Sequence, residues 1–585
     1  MRRKIPYIVV NLLLLFLLIF YLLGFFESEI VSFLTLTAVF TMLFVSQSWM
    51  IIFLTAFSCV DIIEILGFRI YHWVGFFIFF ILIYRLIRLI RKNHCRTCKW
   101  GDSKLKEFFS WFRFYWFNLK KEVLAVYAEG RYFLTLLGLL VLFSFIALFN
   151  AYNFSYSLKQ TIVFILVVFI TFLIYWWIKS KKYGLERVVK AFIFASFPIL
   201  AFSIYQNVAF EKGLESFQIM AARPNGTFFE PDWLGMYLVF LIALVVPILL
   251  NQFSSFKKQL QKEEKREESF DLEEKNRLDK KALLEFLNVR VAPVWIMIIL
   301  YLAFITLIIS VARAAWVSVI LMFGGFLIFS ILSLFFKRIN FKVFLNSLFV
   351  FLMSLVIFGL ALGSVLVFNL TRFNLNDRFV SIFTREHIIT VAERGDESFK
   401  INLEEIEYYK KLGYRVVEKM ISDENIEIRE SVYDSNWELV KQSPILGQGQ
   451  GATTARRDYL YNASNVFWEW WISAGLGGLV VFVLLLSRLI IRNLQYLSGR
   501  EKRLVKEIKR ISIIEGESNY HKLYIYNQMI VMVIIGLVVA NWFNSGIFFM
   551  PMWLCLAVIY GTFDKLESYK RGLRGGKSKD VLKFF

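Results

Sequence analysis

Cysteine is scarce in this sequence, with four among 585 residues, and their placement excludes a disulfide framework. Cys59 and Cys555 lie inside apolar runs. Cys95 and Cys98 have half of the ligand spacing of a zinc site, but no second pair completes it. The sequence therefore predicts no metal, and the segment around Cys95 is interpreted as a reduced cytoplasmic loop.

Charge is also scarce, since charged residues make up 19% of the chain and hydrophobic residues 58%. A soluble chain of this length would carry more charge and fewer uninterrupted apolar runs. Here apolar runs of about 20 residues, long enough to cross a hydrocarbon core of ~30 Å, recur through most of the chain. The composition predicts an all-α polytopic membrane protein with about 14 transmembrane helices. The predicted spans are 6–26, 30–46, 49–67, 70–90, 132–150, 160–179, 187–209, 232–250, 292–311, 315–336, 341–369, 468–491, 522–541 and 546–562.

The first apolar run follows Met1–Lys4 and could imitate a secretory signal. The run is long, however, and no small-residue cleavage site follows it. It is therefore predicted to be a retained first helix.

The distribution of charge predicts the orientation of the chain. The formal net charge is +21, but the basic residues cluster in short loops between apolar runs, which favours a membrane protein over a nucleic-acid-binding one. If the N-terminus is cytoplasmic, every basic loop falls inside. The segment Leu370–Phe467 has 13 Lys/Arg against 16 Asp/Glu and is expected outside. The protein is then predicted to lie in the cytoplasmic (inner) membrane, with both termini in the cytoplasm.

These boundaries divide the chain into six predicted parts. The long insert is expected to be mostly helical, because Leu403, Ile406, Tyr409, Leu412, Val416 and Val417 recur at helical spacing. The charged loop Asn251–Arg290 is interpreted as a solvated hairpin or linker without chemistry. The parts are a four-helix membrane segment (1–91), an interfacial basic segment (92–131), a membrane core (132–369), the extracytoplasmic insert (370–467), C-terminal membrane helices (468–562) and a basic tail (563–585).

Two arginines stand out because this orientation puts both on the outer side, where positive residues are disfavoured. Arg223 lies in the polar stretch 221–235, and Arg313 lies in a break of a few residues between two apolar runs. An arginine so close to hydrocarbon is costly unless it pairs or faces a polar cavity, so a function is the default hypothesis. A snorkelling arginine at the interface is the alternative. Two such side chains on one face could grip a diphosphate through charge-assisted hydrogen bonds.

Other polar residues join the candidate site. Glu230 and Asp232 lie in the same stretch as Arg223, while Glu469 lies among tryptophans at the start of a predicted span. Glu469 could be a base, an acceptor-binding group or an ion-pair partner, and the tryptophans could be an aromatic belt. The glycine-rich segment Ser443–Gly451 is not a P-loop, and it is interpreted either as a loop that shapes a substrate cleft or as a plain turn. The candidate substrate-binding residues are Asn225, Arg372, Arg378, Arg456, Arg457, Ser464 and Asn465.

Four segments together resemble the bacterial O-antigen ligase/O-antigen polymerase superfamily. Arg223–Gly235 is similar to the family's Arg-x-x-Gly-Thr-Phe-x-(Asn/Asp)-Pro-Asn-x-x-Gly stretch, and Ser310–Arg313 resembles its Ser-Arg-Gly/Ala turn. Ser443–Gly451 resembles its Pro-Leu/Ile-Leu/Phe-Gly-x-Gly-x-Gly loop. Asn465–Gly478 resembles its His-Asn-x-x-Leu…Gly-x-x-Gly segment. The similarity covers about 187–562, and its specificity lies in the order of the four segments and the outer insert.

The resemblance implies glycosyl transfer outside the cytoplasmic membrane from an undecaprenyl-diphosphate-linked glycan to an acceptor glycan, without a cofactor or metal. It implies that Arg223 and Arg313 bind the diphosphate leaving group. Ligases of this family carry a histidine where this sequence has Ser464, which favours a polymerase over a ligase. Glu230, Asp232, Asp458 or Glu469 could then act as the base.

Two other classes of protein compete with this interpretation. A transporter for lipid-linked sugars would show polar residues through several spans and a symmetry between halves, whereas Asp61 and Glu64 are the main acidic pair predicted within a span and no inverted repeat is evident. A scaffold whose insert binds partners would leave both outer arginines unexplained. The expected partners are the lipid-linked oligosaccharide, the acceptor glycan and membrane lipids, without nucleic acid. A chain-length regulator or a flippase would also be compatible.

Overall fold

The computed structural model describes most of the membrane region and parts of the insert. The described residues are 5–22, 47–62, 64–65, 68–81, 131–181, 183–220, 222–266, 289, 291–371, 375, 386–392, 398–401, 415–421, 424–455, 464–499, 518–542, 544 and 546–574.

Helices dominate these residues, as predicted, because long apolar runs satisfy their backbone groups internally only as helices in lipid. In chain order they are α1 (Ile5–Leu22), α2 (Gln47–Phe57), α3 (Ile70–Ile81), α4 (Arg131–Leu148), α5 (Phe154–Ser180), α6 (Gly184–Glu211), α7 (Pro231–Arg266), α8 (Pro293–Ser310), α9 (Arg313–Phe335), α10 (Phe341–Val367), α11 (Glu424–Gln442), α12 (Val466–Ser498), α13 (Ser518–Trp542) and α14 (Met550–Arg574).

Within the described ranges, nine helices are long and apolar enough to cross a membrane. Three shorter apolar helices come from the N-terminal part, and α14 adds a further helix with charged residues in its second half. The helical membrane fold class is confirmed. The predicted span 30–46 and the basic segment 92–130 lie outside the described residues.

Helix α7 forms the centre of the fold. Its membrane part is apolar on every side, which is typical of a fully buried helix, and every residue from Leu234 to Leu250 is buried. Helices α8, α9 and α13 pack around it. By contrast, only 28% of the apolar window of α10 is buried, so most of its surface is left to face lipid.

Some predicted boundaries were wrong. The third predicted span, 49–67, ends as a helix at Phe57 and continues into a two-stranded hairpin, β1 (Glu64–Ile65) and β2 (Phe68–Arg69). Asp61 and Glu64 therefore do not lie within a span. At the other end of the chain, the predicted tail begins inside α14, which continues to Arg574.

The insert contains a sheet as well as a helix. Strands β3 (Glu386–Ala392), β4 (Ser398–Ile401) and β5 (Arg415–Ile421) form an antiparallel sheet in the order β4-β3-β5. Val416 and Val417 belong to β5, paired with β3, so their assignment to a helical stripe was wrong. β-branched valines fit a pleated surface at least as well as a helix, and spacing alone does not separate the two over short runs.

Several connections meet on one face of the bundle, here called the loop face. Asn150, between α4 and α5, donates hydrogen bonds to Ser443 Oγ (2.7 Å) and to the Gly447 carbonyl (2.9 Å) in the insert. The Asn207 side chain, near the end of α6, donates to the carbonyl of Leu370, where the insert begins. Tyr433 of the insert donates to the carbonyl of Trp542, at the end of α13 (3.2 Å).

The opposite face is basic. Lys565 donates to the carbonyl of Lys181 at the α5–α6 turn (2.6 Å), and Arg338 donates to the carbonyl of Leu497 at the end of α12 (2.9 Å). This separation of basic turns from the insert agrees with the charge pattern that predicted the orientation.

Candidate active site on the loop face

The polar stretch before α7 is folded by buried amide groups. Gln206 of α6 donates to Asn225 Oδ1 (3.2 Å) and accepts from the backbone N–H of Gly226 (2.7 Å). Asn225 in turn donates to the carbonyl of Phe228 (2.6 Å). Asn225 is completely buried and shapes the loop through these bonds, and its contact with a substrate stays a prediction. Gln206 was missed by sequence reasoning, because a lone amide in an apolar run carries no signal of its partner.

Arg223 is tied to the turn between α8 and α9. Its Nε donates to the carbonyl of Ser310 (3.1 Å), and its Nη2 donates to the carbonyl of Val311 (3.5 Å) and to Asp232 Oδ1 (2.9 Å). Its Nη1 has a weak contact with Met220 Sδ at 3.8 Å. Two of the three guanidinium nitrogens of Arg223 thus donate to oxygen atoms of the protein, and Nη1 does not. The side chain is half-buried, 22% exposed.

Arg313 is the first residue of α9 and is half-buried. It follows the same turn that Arg223 contacts, so the structure brings the two predicted arginines to one place. The turn is tight, because Val311 takes a left-handed conformation at the end of α8 (φ 52°). Arg313 also adds its charge to the positive end of the α9 dipole, which further favours an anion at this point.

Gly235 sets the distance between α7 and α9. A Cβ atom at Gly235 would lie 2.6 Å from Ala312 Cβ and 2.9 Å from Ala315 Cβ. Only a residue without a side chain lets the start of α7, which carries Asp232, approach the start of α9, which carries Arg313.

Gly235→Ala is expected to destabilise the protein by about 1–3 kcal/mol through overpacking and to lower any activity of the site. Gly324→Ala in α9 is the matched control, since a Cβ there would meet nothing within 4 Å. That control is expected to be neutral or to stabilise by up to ~1 kcal/mol through helix propensity. Thermal unfolding in detergent measures both, and equal melting temperatures for the two variants would contradict this account of Gly235.

Glu230 and Asp232 have different environments despite their proximity. Asp232 is held in the ion pair with Arg223. Glu230 precedes the first turn of α7, and its side chain is exposed on one side. The protein packed on the other side raises the pKa of Glu230 by desolvation, the Asp232 charge adds to this increase, and Arg223 opposes it. Of these two carboxylates, Glu230 is the better placed to accept a proton.

A second polar cluster forms where the glycine-rich loop meets α12. Helix α12 is broken at Gly475, whose backbone lies outside the helical region (φ 67°, ψ −171°). The loop satisfies the groups freed by the break, because Gln448 N–H donates to the Ile472 carbonyl (2.7 Å) and Gly449 N–H to the Ser473 carbonyl (3.1 Å). A Cβ at Gly475 would collide with the carbonyl of Ile445. These loop N–H groups are occupied, so the loop does not cradle a phosphate with them; it seals a helix break.

Glu469 and Asn465 belong to this second cluster. Glu469 is 4% exposed and accepts hydrogen bonds from Thr453 (3.4 Å) and Ser473 (3.2 Å). Asn465 caps α12 through the N–H groups of Phe467 and Trp468 and also donates to the carbonyl of Trp542 (3.0 Å). Asn465 is therefore a buried capping residue, and its contact with a substrate stays a prediction.

Phe549, just before α14, packs on the Arg223 loop, because its ring lies 5.7 Å from that of Phe228 and 5.8 Å from that of Trp233.

The remaining predicted residues are only partly located. Ser464 immediately precedes the cap of α12 and is half-buried, with a left-handed backbone (φ 51°). Within the described ranges, no three His, Cys, Asp or Glu side chains come together in an arrangement that could hold a metal ion. The residues that lie outside the described part of the chain are Arg372, Arg378, Arg456, Arg457 and Asp458.

A third arginine borders the loop and was missed. Arg69, in the β1–β2 hairpin, lies over the rings of Phe229 (5.0 Å) and Trp233 (5.3 Å) and pairs with Asp61 (2.5 Å). Its position could have been noticed, because Arg69 falls between two apolar runs on the side that the charge pattern predicts to be outside, but the pattern gives no indication of its aromatic partners.

Residues 298–483 match the family model described as O-antigen ligase. This segment of the chain is therefore similar to O-antigen ligases. This match confirms the resemblance to the O-antigen ligase/polymerase superfamily and indicates a membrane protein of the glycan ligase or polymerase type. The matched domain covers about a third of the chain and includes Arg313, the glycine-rich loop and the start of α12, whereas the Arg223 loop and Arg69 precede it. No curated protein and no solved structure matches the chain significantly.

Proposed function

We propose that this protein is a glycosyltransferase of the cytoplasmic membrane. It polymerises undecaprenyl-diphosphate-linked glycan at the loop face, which faces away from the cytoplasm. The observation that carries the proposal is the convergence of Arg223 and Arg313 on the α8–α9 turn. Two guanidiniums beside the N-terminus of a helix form a site suited to a diphosphate.

In the proposed reaction, a hydroxyl of the acceptor sugar attacks the anomeric carbon of the lipid-linked donor. The new bond joins that oxygen to the carbon, and the bond from the carbon to the diphosphate oxygen breaks. The diphosphate-lipid leaves with its added negative charge held by Arg223 and Arg313. Glu230 accepts the hydroxyl proton, because it is more accessible than Glu469 and, unlike Asp232, is not engaged by Arg223.

The proposed reaction needs no metal, since the two guanidiniums and the helix dipole would supply the positive charge that the leaving group requires. The insert would cover the cleft and limit the access of water, which competes with the sugar as acceptor.

A ligase is the second candidate, and the family description favours it. Ser464, where ligases of this family have histidine, favours the polymerase. The two differ in what is transferred and how often, so product size distinguishes them.

The experiment is a transfer assay in membranes, followed by sizing of the glycan. In one arm synthetic undecaprenyl-diphosphate oligosaccharide serves as both donor and acceptor, and in the other arm a distinct acceptor is added. A ladder of lengths that is lost in Arg223→Ala and Arg313→Ala is expected for the polymerase. One unit added only when a distinct acceptor is supplied would establish the ligase instead. Donor that reaches the opposite leaflet without transfer would contradict both and indicate a transporter.

A further inference from the structure

The N-terminal hairpin packs on the proposed site although it precedes the matched domain by more than two hundred residues in sequence. In the β1–β2 hairpin the backbone of Arg69 lies opposite that of Glu64. The Arg69 guanidinium lies over two aromatic rings next to Arg223, those of Phe229 and Trp233. A guanidinium this close to an aromatic face is attracted to it, and more strongly when both are desolvated.

The charge of Arg69 is balanced inside the protein. Asp61 Oδ1 lies 2.5 Å from Arg69 Nη1, and the Tyr71 hydroxyl donates to the same carboxylate (3.3 Å). The side chain of Arg69 is 17% exposed and that of Asp61 is 6% exposed. Removing one partner of such a shielded pair leaves the other charge poorly solvated, so the pair is sensitive to single substitutions.

Backbone contacts bind the same segment to the same loop. The N–H groups of Asp61 and Ile62 both donate to the carbonyl of Thr227 (2.8 Å each), and Thr227 Oγ1 donates to the carbonyl of Cys59 (2.9 Å). Thr227 is completely buried, so these bonds are shielded from solvent.

The clamped residues are neighbours of the proposed catalytic groups. Phe229 immediately precedes Glu230, and Trp233 immediately follows Asp232. A movement of either ring therefore displaces a carboxylate, and the Asp232 pair passes that displacement to Arg223.

We propose that Arg69 is a positioning residue of the transfer site, which it orders by stacking on Phe229 and Trp233 while Asp61 neutralises it. The N-terminal segment thus completes a site whose other parts come from α7 and from the matched domain. This inference rests on the proposed function for its kinetic readout, but its structural readout is independent of any activity.

Arg187 provides a matched control. It also joins an N-terminal helix to α6, through a hydrogen bond to Ser48 Oγ of α2 (2.5 Å), but it does so at the basic face, where it also lies over the ring of Trp177 in α5 (6.0 Å). If Arg69 only held the N-terminal helices in place, its removal would affect transfer no more than the removal of Arg187.

The test compares Arg69→Ala with Arg187→Ala in the full-length protein. We expect Arg69→Ala to lower kcat about tenfold to a hundredfold, in line with the loss of two desolvated cation–π contacts. Arg187→Ala is expected to lower the melting temperature while keeping kcat. In a Trp233→Leu background, the further effect of Arg69→Ala on kcat is expected to shrink at least about threefold, because the two residues act through one contact.

Hydrogen–deuterium exchange gives the structural readout. Exchange of the amides in 222–230 is expected to rise in Arg69→Ala and to stay unchanged in Arg187→Ala. Unchanged exchange in Arg69→Ala, or kinetic effects of Arg69→Ala and Trp233→Leu that multiply fully, would overturn the inference. If the wild-type protein catalyses no glycan transfer, only the proposed function is refuted, since the hydrogen–deuterium exchange data still decide whether Arg69 orders the loop.

Discussion

Arg313→Ala is expected to lower the rate of glycan transfer about 10²–10³-fold while the protein remains inserted and folded. The charge of the diphosphate grows as the glycosidic bond breaks, so a guanidinium at this point stabilises the transition state more than the bound donor. The loss is therefore expected mainly in kcat. The assay is initial-rate transfer in membranes at saturating lipid-linked donor, with the amount of protein measured for each variant.

Two controls separate this role from a structural one. Arg313→Lys keeps the charge but loses the planar, bidentate geometry, so it is expected to recover only part of the rate. Arg338→Ala removes an arginine just beyond the other end of α9, where Arg338 donates to the carbonyl of Leu497, and is expected to leave transfer unchanged. Full activity in Arg313→Ala would remove the central residue of the proposed site.

That Arg223 and Arg313 lie on one face of the protein could be anticipated from the sequence, because it follows from membrane physics. Charge bias fixes the side of every short loop, and a cation near hydrocarbon on the disfavoured side requires a reason. The structure added the connecting atoms, namely the Ser310 and Val311 carbonyls that Arg223 reaches.

The role of Arg69 could not be anticipated in the same way. Helix α2 ends at Phe57 within the apolar run 49–67, so hydropathy does not reveal the hairpin that turns Arg69 toward Trp233. Hydropathy records the polarity of a run and not the point at which a helix gives way to strands. The same weakness misassigned Val416 and Val417 in the insert.

The glycine-rich loop illustrates a different limit. Gly447, Gly449 and Gly451 stand at alternate positions, and all three take positive φ in a loop that closely approaches α12. The partner of that approach is the break at Gly475 in α12, and no local pattern identifies it. Backbone donors that the sequence leaves open for a ligand are committed in the fold to another segment of the chain.

The assignment of Glu230 as the base gives the second large effect. Glu230→Gln is expected to lower kcat about 10²–10⁴-fold, the usual range for removal of a general base. The base must be deprotonated to act, so the rate falls as the pH drops through its pKa. Because desolvation and Asp232 raise the pKa of Glu230, the acidic limb is expected above the pKa of an ordinary glutamate, ~4.3.

The pH profile is what separates Glu230 from its neighbours. Glu230→Gln should abolish the acidic limb as well as most of the rate, whereas Asp232→Asn, which weakens the Arg223 ion pair, should keep the limb and raise KM for the donor. Glu215→Gln is the matched control, since Glu215 is an exposed glutamate on the same polar connection between α6 and α7, and it should behave as wild type. If the acidic limb persists unchanged in Glu230→Gln, another group accepts the proton. For Glu469 to be that group, its buried carboxylate, which accepts hydrogen bonds from Thr453 and Ser473, would have to become accessible to the acceptor sugar.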